Sequence, residues 1–419
     1  MATMDNVVTI PAEILASAEE SSRRTKIRVL GVLALVNFVN YADRQILYPL
    51  FPLLRREFGL NHLQLGEIAA AFTIVLALGS LPLGMLADRF SRRMVISAGV
   101  MLWSAATFLS GLAGSFHSLL FARALVGVGE AAYTPAGTAM ISATFPKRVR
   151  ARVQGVFDVG MFIGGATGIA MGGILAEWVG WRAAFFFVGI PGLLLGMAAT
   201  RLPKTTVIAE VEERVSVREL LANKSYALLL ASGWFSAFAA YTYITWGPEF
   251  VQEYMGFTPQ EAGIALGLVV VIAGVLGVLS GATLADRLAR RGVWGRAVLV
   301  PIGFLVALPF IYLALHSATK TAFIALFGVG TFFLTWYHGP VTATIHDIVP
   351  SRGHASGIGL YYLVVNLLSI AAAPLLVGKL ADVTSLRFAV HSALIAQFIA
   401  AMLFLMVVRR LRKKSEKAR

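Results

Sequence analysis

Twelve apolar runs, each long enough to cross a bilayer, divide this chain and exclude most soluble folds. They lie at roughly 27–50, 64–87, 94–114, 118–142, 151–176, 182–201, 226–252, 260–285, 296–316, 321–347, 355–379 and 386–408. A hydrocarbon core takes about 20 helical residues. Backbone polar groups find no water there, so each run is expected to be a helix. Composition agrees: 58% of residues are hydrophobic and 14% are charged, against about 25% charged in soluble domains. The 40 glycines suit close helix contacts in a membrane. There is no cysteine, hence no disulfide or thiol chemistry.

The net charge of +14 is not a nucleic-acid signature, because the basic residues lie in the gaps between runs. Of the 36 Lys and Arg residues, 28 fall in the N-terminal stretch, the even-numbered gaps and the C-terminal stretch; six fall in the odd-numbered gaps and helix ends. Basic loops stay on the cytoplasmic side. Both termini are therefore expected in the cytoplasm, with the protein in the cytoplasmic (plasma) membrane. Residues 1–26 read as a polar tail without a cleavage site. Residues 27–201 form one six-helix set, the charged 202–224 a linker, 225–408 a second six-helix set, and 409–419 a basic tail.

The two sets repeat weakly. Gly84-Met85-Leu86-Ala87-Asp88-Arg89-Phe90-Ser91-Arg92-Arg93 follows the second run. Gly281-Ala282-Thr283-Leu284-Ala285-Asp286-Arg287 follows the eighth, with Asp286 198 residues after Asp88. Parallel repeats of six spans are the architecture of rocking transporters, with substrate held between the halves. The fold expected is an all-α membrane protein of twelve transmembrane helices in two pseudo-symmetric bundles.

Four charges interrupt the apolar runs: Asp43 and Arg44 in the first, Arg123 and Glu130 in the fourth. Each costs roughly 2.5–3.5 kcal/mol on insertion scales, so such groups pair or contact ligand. Arg123 and Glu130 are two turns apart on one helix face, about 10 Å along the axis. Asp43 lies five residues from Tyr48, near the outer end of its run, and Arg123 five residues from Ser118, the outer start of its run, so they sit at similar depth and can pair; Glu130 lies deeper. Arg44 follows Asp43 by about 100° of helix turn. One of the two faces a cavity and the other a neighbouring helix. A guanidinium facing the cavity suits a phosphate or carboxylate headgroup. The alternative is a static buried network that only holds helices together.

At the 198-residue offset the second half has no such charges. It offers aromatics, among them Tyr241 at the position of Asp43, and Trp336 and Tyr337 in the tenth run. Any one of these rings can instead face lipid. His338, beside Gly339-Pro340, is a titratable candidate or a hydrogen-bonded residue at a helix break. Asn366 is a polar contact candidate. Asp158 is either a gate residue or part of the inner mouth. Gly155, Gly164, Gly168, Gly172 and Gly173 stripe the fifth run, which small-residue helix packing alone explains.

The repeated loop resembles motif A of the major facilitator superfamily, with Ser91 in place of a glycine. Arg123 with Gly127 and Gly129 resembles motif B, whose arginine is associated with proton coupling. The glycine stripe resembles the antiporter motif C, with Ile169 where a proline belongs. Asn40-Tyr41-Ala42-Asp43-Arg44, Asp88-Arg89-Phe90-Ser91-Arg92-Arg93 and Arg123 to Ala131 resemble the Spinster-like family more closely, as does Gly180-Trp181-Arg182. The likeness is fuller in the first half.

That resemblance implies a proton-coupled secondary transporter of lipid-like amphiphiles such as lysophospholipids or sphingosine phosphate. The sialin-like organic anion–proton symporters share a Tyr-x-Asp-Arg and an Arg/Glu pair, and are the alternative. Asp43 and Glu130 are the expected proton carriers, with Arg123 alternating between them. Arg44, Tyr41, Tyr241, Trp336, Tyr337, His338 and Asn366 are expected to contact substrate. Asp88, Arg89, Arg92, Asp158, Asp286 and Arg287 are the gating candidates. Expected partners are protons, an amphiphilic or anionic substrate and membrane lipids, with the protein a monomer. No P-loop, H-E-x-x-H, G-x-S-x-G or cluster of metal ligands is visible in the sequence. Neither cofactor nor enzymatic activity is expected. A non-transporting sensor on a transporter fold is the remaining class.

Overall fold

Side-chain caps and glycine turns cut the chain where the apolar runs end. Ser115 and Ser118 form a reciprocal capping box, as do Thr258 and Glu261; each satisfies two amide donors that a helix start leaves open. Gly180, at φ +100°, takes a backbone conformation closed to other residues and turns the chain between two helices.

The computed structural model describes residues 12–87, 90–203, 215–290, 292–350 and 353–417. The helices of the first half are α1 (Ala12–Ile46), α2 (Phe51–Phe58), α3 (His62–Ala87), α4 (Arg92–Gly111), α5 (Phe116–Thr144), α6 (Lys147–Trp178) and α7 (Trp181–Ala199). After the short α8 (Val217–Ala222) come α9 (Lys224–Met255), α10 (Pro259–Ala289), α11 (Val293–Ala297), α12 (Leu299–Leu315), α13 (Lys320–Leu334), α14 (His338–Ile348), α15 (His354–Tyr362), α16 (Ile370–Val383) and α17 (Leu386–Lys417). The described residues contain no strand. The pairs α11–α12, α13–α14 and α15–α16 each make one crossing, joined directly or through a 3₁₀ turn (Thr335–Tyr337) or a π-helical stretch (Leu363–Ser369). Twelve crossings result, with α2 and α8 lying outside them.

Ten of these segments are long and apolar enough to span a membrane by composition alone. The other two long helices are α1 and α5, which hold the four buried charges. Two ends differ from expectation. α1 already begins at Ala12, inside the stretch read as a tail, and α17 continues to Lys417. The Ala and Glu residues of the first stretch are good helix formers. On the last turns Arg412 pairs with Glu416 at 2.9 Å.

The two halves meet along α3 with α16 and α6 with α10. Small residues set these contacts. A Cβ on Gly66 would lie 2.3 Å from the Pro374 carbonyl oxygen, and one on Gly173 would lie 2.1 Å from that of Pro259. Within the first half the glycine stripe of α6 faces α1. A Cβ on Gly164, Gly168 or Gly172 would come within 2.2, 2.3 and 2.6 Å of carbonyl oxygens of Phe38, Ala42 and Ile46. The stripe is therefore a close-packing surface, and it holds the segment carrying Asp43 and Arg44 in place.

Candidate functional site

The four membrane charges form two ion pairs, both between α1 and α5. Asp43 and Arg123 are fully buried, and the Arg123 Nη1 lies 2.8 Å from Asp43 Oδ1. The hydroxyl of Thr107, on α4, donates to Asp43 Oδ2 at 2.5 Å. One residue on, Arg44 turns to the other side of α1 and meets Glu130, with Nη2 2.5 Å from Oε2. The helix turn between neighbours places Asp43 against helices and Arg44 on a cavity wall. Arg123 is thus engaged by Asp43, and the partner of Glu130 is Arg44. That second pair was not foreseen from residue depth alone, because a long arginine side chain reaches along the helix axis.

The second pair is the more exchangeable one. Glu130 is fully buried while the Arg44 side chain keeps 16% of its exposure. Their contact is a close charge approach without a well-aligned hydrogen bond, and Arg44 Nε has no partner. The guanidinium lies over the rings of Tyr41 and Phe72, at 4.8 and 5.6 Å from their centroids. Arg123 lies 5.9 Å from the Phe72 and Phe185 rings. Phe72 therefore faces both guanidinium groups.

A cavity of about 460 Å³ opens beside Arg44. Its wall combines Tyr41, Arg44 and Gln45 of α1 with Phe72 of α3, Tyr241 of α9 and Tyr362 of α15. A second cavity of about 250 Å³ shares Tyr41, Gln45 and Tyr241 and runs toward Phe162, Tyr337 and His338. The first wall carries the charge and the second is mostly apolar, with several rings among aliphatic side chains. Buried polar atoms around α1 lack protein partners: Asn40 Nδ2, Gln45 Oε1 and Arg44 Nε.

The other candidate residues are placed as follows. Tyr337 stacks on His338 with ring centroids 4.2 Å apart. Trp336 turns onto α10, its Nε1 donating to Ser280 Oγ at 3.1 Å and its backbone against Gly281. Asp286 and Arg287 are exposed at the end of α10. Arg92 opens α4; Asp88 and Arg89 lie outside the described residues, as do the side chains of Asp158 and Asn366. The π-helical stretch that includes Asn366 places Leu363 on the cavity wall.

At the opposite end from the linker, cross-half bonds close the space between the bundles. The backbone amides of His62 and Leu63, at the start of α3, donate to the carboxylate of Asp382 on α16 at 2.8 and 2.9 Å. One half thereby caps a helix of the other. Arg55 reaches Glu249 and Glu253 of α9 at 3.3 and 3.4 Å. Trp178 donates to Gln260 Oε1 at 2.9 Å, and the Gln260 amide to Glu177 at 3.0 Å. Sequence reasoning missed this seal. The acid Glu249 inside an apolar run was the one available signal.

Residues 33–374 match the Major Facilitator Superfamily. The chain is 29% identical to an MFS-type efflux pump of Mycolicibacterium smegmatis, over 87% of this chain and 86% of that one. It is 27% identical to Protein spinster of Drosophila melanogaster, over 89% of this chain and 64% of that one. With a probable L-galactonate transporter of Escherichia coli it shares 23% identity, over 90% and 88% of the two chains. The crystal structure of a bacterial homolog of the human lysosomal transporter Spinster, in its inward-facing and unoccupied conformation, superposes with a TM-score of 0.82 at 23% identity. It covers 93% of this chain and 98% of that one. Helix order, the cavity between two bundles and the match along most of the sequence agree: the chain belongs to the Major Facilitator Superfamily, as an integral multi-pass membrane protein.

Proposed function

We propose that this protein is a proton-coupled secondary transporter of an amphiphilic anion, of the lysophospholipid or sphingolipid kind, working by alternating access. The observation that carries this reading is the Arg44–Glu130 pair on the wall of a cavity whose other side is aromatic. An anionic headgroup competes with Glu130 for the Arg44 guanidinium, whose free Nε adds a second donor. A fully buried carboxylate that loses its counter-ion is neutralised by a proton rather than left as a bare charge. Headgroup binding and proton uptake are then linked through one arginine. Asp43, held by Arg123 and Thr107, is the second carrier and loads when its own pair opens. The apolar annex toward Tyr337 takes the tail.

In this reading the linker and both termini face the cytoplasm, the seal at Asp382 closes the outer side, and the monomer is the working unit. The mass of basic residues in the linker-side gaps supports that orientation. A sugar acid fits the charged wall but leaves the aromatic annex unused, which makes sialin-like organic anion symport the second reading.

The test is proton movement into proteoliposomes holding a pH dye, with lysolipids and sugar acids added in turn. Wild type is compared with Asp43→Asn and Glu130→Gln. A substrate-dependent pH change that disappears in either variant is expected. Labelled-substrate flux that is unchanged in both variants, with no pH change for any candidate, would make the protein a facilitator and sink the proposal.

A further inference from the structure

The outer seal contains a set of ligand atoms that the transport reading does not use. The ring Nδ1 of His62 lies 2.9 Å from Asp382 Oδ1, and the same carboxylate accepts two backbone amides. An ionised carboxylate only accepts, so a proton sits on Nδ1, which leaves Nε2 as the ring nitrogen available to a metal ion. Nε2 has no hydrogen-bond partner and points toward Glu249, 3.9 Å from Oε1. Glu249 is 1% exposed and its Oε2 is also unpartnered. Glu253 follows one turn along α9, on the same face. One atom each from His62, Glu249 and Glu253 lie within 4.8 Å of one another.

We propose that His62, Glu249 and Glu253 form a binding site for a divalent transition-metal ion of zinc's class. The donor set is one imidazole and two carboxylates with a fourth position left for water, which is chemistry zinc accepts. Asp382 acts as a positioning residue: a carboxylate on the far nitrogen of a ligating histidine fixes its tautomer and ring orientation. The Trp246 ring, 5.9 Å from that of His62, shields one side. Bonds of about 2.1 Å need the donors drawn in to roughly 3.4 Å of one another, the edge of a tetrahedron.

Arg55 now serves as the counter-ion. It is held at 3.3 and 3.4 Å, the long end for a hydrogen bond. Its side chain is 39% exposed and is free to swing into solvent when an ion arrives. Glu249 and Glu253 share this one guanidinium, and the Asp382 carboxylate stands beside them on the His62 ring. A divalent ion therefore improves the local charge balance. Because His62 belongs to one half and both glutamates to the other, the bound ion clamps the outer side shut.

The experiment is calorimetric titration of Zn²⁺ into the purified full chain in detergent, with no transported substrate present. Wild type binds one ion per chain at saturation. His62→Ala and Glu253→Gln each weaken binding about tenfold or more, Asp382→Asn weakens it roughly 10–100-fold, and Arg55→Ala tightens it. Glu253 is half-exposed, so its substitution reads the site even if His62→Ala does not fold. No saturable binding by wild type, or equal affinity in Glu253→Gln, overturns the site. The readout is binding alone, so a failure here leaves the transport reading standing, and loss of proton coupling leaves the metal site standing.

Discussion

Arg44 and Asp43 are adjacent in sequence yet belong to different ion pairs: Asp43 is locked to Arg123 with no exposure, and Arg44 meets Glu130 at the edge of a cavity. A single residue step, about 100° of helix, separates a pair that packs helices from a pair that a ligand can reach. Removing either member of the first pair should therefore cost stability, and removing Arg44 should chiefly cost substrate affinity.

Arg123→Ala leaves Asp43 buried with Thr107 as its remaining side-chain partner. Breaking a buried pair in this way costs about 3–5 kcal/mol. A large drop in melting temperature in detergent is expected, against a smaller one for Asp43→Asn, which keeps a group able to bond Thr107. Equal melting of Arg123→Ala and wild type would show the pair to be energetically idle.

Arg44→Lys keeps the charge but loses the planar fork and its stacking over Tyr41. Weaker binding of an anionic lysolipid, by about tenfold, is the expected result in an equilibrium binding assay with folding intact. Unchanged affinity would remove Arg44 from the binding site.

The α6 stripe gives a paired steric test. Gly168→Val places a side chain against the Ala42 backbone, where even a Cβ would stand 2.3 Å from the carbonyl oxygen. Overpacking of this kind costs typically 1–3 kcal/mol or more. Gly155→Ala, with nothing within 4 Å, should be silent. Thermal unfolding of the two variants reads the difference directly.

Asp382→Ala removes the acceptor for two amides and a histidine ring across the seal at the end opposite the linker. The population open on that side should rise. The chain has no cysteine, so Gln45→Cys introduces a lone thiol in the cavity. Faster labelling of that thiol from the sealed side is expected when Asp382→Ala is added; an unchanged rate would mean that the seal rests on other contacts.

Glu57 on α2 offers a pH handle. Hydrogen bonds from the Trp181 indole and then Arg182 hold its carboxyl below its ordinary value of 4.5, against slight desolvation. A lowered folded value means that the contribution to stability is complete above 4.5 and fades as pH falls through the depressed value. Glu57→Gln should melt below wild type at neutral pH, and the gap should close on acidification. A gap that widens with acid would contradict that sign.

Much of this architecture is written in the sequence, for physical reasons that differ from residue to residue. Hydrocarbon enforces long apolar runs, so the twelve crossings are legible. Counting from the outer run ends was enough to bring Asp43 level with Arg123. The same count did not reveal Arg44 as the partner of Glu130, because an arginine's reach exceeds one helical turn. His62 with Asp382 was invisible, since the contact joins distant segments and depends on how two bundles lean together. The glycine stripe was legible as a packing surface, but which helix it receives was not.

The buried charges also bear on how the protein is made. α1 and α5 are the two long crossing helices outside the ten that are apolar enough to span by composition alone, and each carries two charges that cost roughly 2.5–3.5 kcal/mol apiece without a partner. Both partners of α1 sit on α5, which leaves the ribosome only after α3 and α4. Released into lipid before α5 arrives, the first helix would carry both charges unpaired at that cost, so the two ion pairs favour insertion of α1 and α5 together.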